Sequence, residues 1–105
     1  MVESVFIEMI QKGIVDQIIV DESLPSKGKP AKKILGTTTV WTVRIGLNNG
    51  EIVMLESARG GNREWASLDN LTKWLRSLGI SQYSVVLLSE ISDALQGKLE
   101  FVDHR

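Results

Sequence analysis

The stretch from Ser67 to Gly79 constrains the fold more than any other, because its pattern suits an amphipathic helix that must bury one side. Ser67 is a good N-cap residue, since its side-chain oxygen can accept a backbone N–H of the first turn, and Asp69 places a negative charge where the helix dipole favours one. Leu68, Leu71, Trp74, Leu75 and Leu78 then form one apolar stripe, and Gly79 supplies the residue that ends the helix. Lys73, Arg76 and Ser77 fall off that stripe. A helix of this kind needs a sheet or a second helix to pack against.

The rest of the chain offers both. Val2, Val5, Phe6, Met9 and Ile10 have the spacing of one helical face, with Gly13 as the closing residue, so residues 2–12 read as a first helix. Residues 14–20, Ile-Val-Asp-Gln-Ile-Ile-Val, are rich in β-branched side chains and read as a strand. Asn49-Gly50 between two apolar runs is a hairpin signal, because both central residues of a type I′ turn need positive φ. With a two-residue loop, Leu47 faces Ile52 and Ile45 faces Met54. Trp41, Val43, Ile45, Leu47, Ile52 and Met54 then share the core face, and Thr42, Arg44, Val53, Leu55 and Ser57 the opposite one. Tyr83 to Leu88 reads as a further strand, apolar enough on both sides to lie inside the sheet. Ser89 could cap a short helix holding Ile91, Ala94 and Leu95, and Leu99 and Phe101 alternate with charges as an edge strand would.

Helix, strand, loop, hairpin, helix and strand in that order give an α+β fold. The expected architecture is a small, twisted, mostly antiparallel sheet of about four strands with helices packed on one face. At 105 residues, 43% of them hydrophobic, the chain has room for a single modest core. Between about residues 21 and 36 the composition turns to Pro, Gly, Ser and Lys, and we expect a mobile loop there.

Composition excludes several chemistries. With no cysteine the chain has no disulfide, thiolate nucleophile or cysteine-held zinc, which points to a reducing, cytoplasmic setting. No apolar run approaches the roughly 18 residues that span a bilayer, and the first residues lack the basic start of a signal peptide, so no membrane partner is expected. His104, the one histidine, stands second from the end, where neighbours that could fix an imidazole are scarce. No nucleophile, metal or phosphate-loop spacing occurs, so neither catalysis nor a cofactor is expected.

The candidate binding residues are cationic or aromatic. Net charge is −1, which gives no general nucleic-acid footprint, but Lys27, Lys29, Lys32 and Lys33 cluster in the loop. Such a cluster can hold phosphates without reading sequence, or can simply be solvated. Arg59 and Arg63 flank Gly60-Gly61 close to the start of the second helix, where an anion or an acidic surface could dock. The alternative is that the glycines only permit a tight turn, with both arginines solvated. Trp65 precedes the N-cap and can act as a binding anchor or as an apolar staple on the helix. Arg44, on the mixed hairpin face, would add to a positive side if these elements converge. That mixed face also suits a second subunit, and a homodimer is a possibility the sequence leaves open.

The run from Trp41 to Leu88 has a strand, an Asn-Gly turn and a strand closing Leu55-Glu56-Ser57-Ala58-Arg59-Gly60-Gly61. Arg63-Glu64-Trp65 follows, then a helix ending Leu75-Arg76-Ser77-Leu78-Gly79-Ile80. This run resembles small plasmid-borne accessory proteins of the ParC partition-associated type. The resemblance implies a mobile-element protein that serves plasmid maintenance by binding DNA or a nucleoprotein partner. The alternative is a protein inhibitor of a host defence complex, such as a CRISPR effector or a restriction enzyme. Residues 1–40 lie outside the resemblance.

Overall fold

Local signals at both helices are met in full at their C-terminal ends. The computed structural model describes residues 1–25 and 39–88. Helix α1 spans Glu3–Gln11 and helix α2 spans Leu68–Ser77. In α2 the Ser67 Oγ accepts the Asn70 N–H at 3.2 Å, the expected N-cap bond. Both helices end in the same two-bond motif. In α1, Gly13 and Ile14 donate to the carbonyls of Ile10 and Met9, and in α2, Gly79 and Ile80 donate to those of Arg76 and Leu75.

The strands are β1 (Val15–Ser23), β2 (Val40–Leu47), β3 (Ile52–Met54) and β4 (Ser84–Val86). They form one mixed sheet in the order β3-β2-β1-β4. β1–β2 and β2–β3 are antiparallel, while β4 joins β1 in parallel, which the long connection through β2, β3 and α2 allows. The class is α+β. The first three residues of the expected loop belong instead to β1, where Asp21, Glu22 and Ser23 pair with Thr42, Trp41 and Val40. The lysine cluster and residues 89–105, including the expected short helix, the final strand and His104, lie outside the described residues.

The hairpin register differs from expectation by one residue. Asn49 does not take positive φ, whereas Gly50 does, at +95°. Gly50 donates to the Leu47 carbonyl, and Leu47 donates to the Glu51 carbonyl at 2.8 Å, so residues 48–50 form a three-residue loop with a glycine bulge. The Asn49 side chain accepts the Glu51 N–H at 2.9 Å, which holds this turn in place of type I′. Ile45 therefore faces Val53 and Arg44 faces Met54. Val53 and Leu55 move to the core side, and Ile52 and Met54 to the other, because a one-residue slip exchanges every side chain between faces.

The core lies between the sheet and both helices. Phe6 from α1 and Leu71 and Leu75 from α2 close over Ile18, Val20, Val43, Ile45, Leu47 and Leu55. Each such burial contributes about 1.5–3 kcal/mol relative to exposure. The expected apolar face of α1 is narrower than its spacing implied: Phe6 is fully buried, Ile10 packs against the core, and Val2 and Val5 are exposed. Val2 is drawn away because it pairs in parallel with Glu56 just beyond β3.

Candidate binding surfaces

The diglycine segment folds as a tight turn. Ser57 donates to the Gly61 carbonyl and Gly60 to the Ser57 carbonyl, with φ of +101° and +77° at Gly60 and Gly61. The chain then runs back beside itself, Glu56 against Asn62, and Trp65 forms a two-bond bridge with Trp41. This return path fixes Arg63 and Trp65 over the helices.

Arg63 is only partly exposed, and protein groups hold it. Its Nη1 donates to Glu3 Oε1 of α1 at 2.5 Å, and its guanidinium sits 4.6 Å from the Trp65 ring centre and 5.0 Å from that of Trp74. Trp65 in turn packs on Trp74, with ring centres 5.1 Å apart, and Trp74 on Phe6 at 5.9 Å. This column ties the turn to α1 and α2. A guanidinium held by a carboxylate and two indoles contributes to cohesion, and leaving those partners for a phosphate would forfeit both interactions. Trp65 packs against the core and meets Trp74 well beyond the first turn of α2. Arg59, by contrast, is exposed on the rim of an open hollow of about 580 Å³ that Glu3, Glu56 and Arg63 also line.

Arg44 stands on the other side of the sheet. Its Nε and Nη2 donate to Asp21 Oδ2 and Oδ1 at 2.7 and 3.0 Å, a bidentate pair across β1 and β2. The hydrogen bond that Arg44 donates to Asp21 holds the guanidinium pKa above its ordinary value; burial opposes this and the carboxylate's charge reinforces it. Since the guanidinium is already protonated far above neutrality when unfolded and its pKa is raised further here, this contribution is fully present at all ordinary pH. Beside the pair, Ser23 and Thr42 share a hydrogen bond of 3.2 Å. Ile19, Ser84, Met54, Ile52 and Val86 complete this face by register. Ile52 and Val86, at its two flanks, are 52% and 45% exposed.

The structure thus separates the sequence candidates. Arg59, Arg63 and Trp65 gather at the turn, Arg44 lies on the opposite side, and Lys27, Lys29, Lys32 and Lys33 fall outside the described residues. Sequence reasoning missed Ile52 and Val86 as surface residues. The slipped hairpin register put Ile52 outside, and β4, expected inside the sheet, is the edge strand among the described residues. Also among the described residues, no group of three or more metal-ligating side chains occurs and no helix is long and apolar enough to cross a membrane. Comparison of the chain with family models, curated proteins and solved structures finds no match.

Proposed function

We propose that this chain is a non-enzymatic accessory protein that acts by docking on a protein partner through the sheet face opposite the helices. The observation that carries this reading is the makeup of that face: a bidentate Arg44–Asp21 pair at its centre, neutral as a unit, flanked by exposed Ile52 and Val86. Apolar flanks gain from burial against another protein, and a paired guanidinium offers little to a phosphate. The plasmid-maintenance setting implied by the resemblance of residues 41–88 accords with this if the partner is a protein of the nucleoprotein complex rather than bare DNA.

Two measurements test the reading. Titration with duplex DNA at low salt is expected to show no binding that Arg59→Ala weakens; steep, salt-dependent affinity removed by Arg59→Ala or Arg63→Ala would overturn it in favour of direct DNA contact. Once a partner is identified and purified, Ile52→Asp is expected to weaken its binding about tenfold or more, and unchanged affinity would contradict use of this face. An inhibitor of a host defence complex would use the same kind of contact. The identity of the purified partner separates the two settings.

A further inference from the structure

The two edges of the sheet are finished differently, and the difference points to a second copy of this chain. At the β3 edge, Met1 and Val2 run alongside Met54–Glu56. The Met1 α-ammonium donates to the Met54 carbonyl at 3.0 Å and pairs with Glu56 at 3.2 Å, and Glu56 donates back to the Met1 carbonyl at 2.7 Å. At the other edge stands β4, beyond which no strand lies among the described residues. All three of its residues are exposed, and Val85, Val86 and the following Leu87 are 42%, 45% and 63% exposed. From Ile80 to Leu88 the chain carries no charge, no proline and no glycine. Charge and proline are two of the features that keep edge strands from pairing; shortness is a third, and β4 has three residues.

We infer that β4 pairs antiparallel with β4 of a second copy, about a two-fold axis through Val85. Charge argues for a like partner: a strand bearing charges would meet its own charges on self-pairing, and this one has none to repel. Geometry argues for it as well. With Val85 on the axis, Ser84 of each copy faces Val86 of the other, and directly opposed residues share a face. The helices of both copies then lie on one side, and the other side becomes a continuous sheet of twice the four strands seen in one chain. Val85, which sits beside Val20 in the register, would lose its exposure against its own counterpart.

This pairing is independent of the docking face proposed above, which Ile52→Asp probes, so either can fail alone. Sedimentation across a wide range of concentration should show the wild-type chain passing from monomer to dimer. Val85→Lys and Val85→Glu should each raise the dissociation constant about tenfold or more, because like charges then oppose each other at the axis, and an equimolar mixture of the two should restore the dimer. Circular dichroism confirms that each variant is folded, and Leu87→Glu, at a more exposed position, serves if either is not. A wild-type chain that stays monomeric throughout would overturn the inference. So would a dimer that both variants leave unchanged, or a mixture that fails to recover it.

Discussion

The aromatic end of the molecule and the β4 edge are built from similar materials to opposite effect. Around Trp65 and Trp74, apolar rings are partly buried against one another and the core, and the cation among them is matched by Glu3 from a distant part of the chain. Along β4, β-branched and leucine side chains of comparable apolarity are left open. Covered apolar surface stabilises a fold, whereas surface left open stabilises a contact. Substitutions at the first region should change stability, and those at the second association.

The largest effect should come from Phe6→Ala, which empties a fully buried site where α1 meets Trp74; chemical denaturation should show a loss of about 3–5 kcal/mol. Arg63→Ala should cost less, about 1–2 kcal/mol, since the guanidinium is partly exposed and its ion pair is screened by solvent. Glu3→Gln should cost less again, and if it matched Arg63→Ala the indole contacts would be contributing nothing. Ser67→Ala removes one cap bond and should cost about 1 kcal/mol by the same measurement. Val85→Lys should change stability by no more than about 0.5 kcal/mol. A loss at position 85 comparable to that at Phe6 would erase the distinction between the two regions.

Helix α2 was legible because everything that specifies it is local: a cap at Ser67, a stripe of leucines and a closing glycine lie within thirteen residues. The hairpin was legible in place but not in register. Residues 52–55, Ile-Val-Met-Leu, are apolar without alternation, so either face reads as a core face, and no side chain there pins the pairing. The turn decided it, through the Asn49 side chain and the Gly50 bulge. The fate of Arg63 could not be read at all, since its carboxylate partner lies sixty residues away in sequence. Strand β4 misled for a different reason. A strand apolar on both sides reads as central, and here the same composition stands at an edge of the sheet among the described residues.

Amide hydrogen exchange followed at low and at high protein concentration tests the account most directly, because it reports on both sheet edges at once. The account predicts that the amides of Ser84–Val86 become slower to exchange as concentration rises, while those of Ile52–Met54 keep one rate throughout. Concentration-dependent protection at Ile52–Met54, or none at either edge, would contradict it.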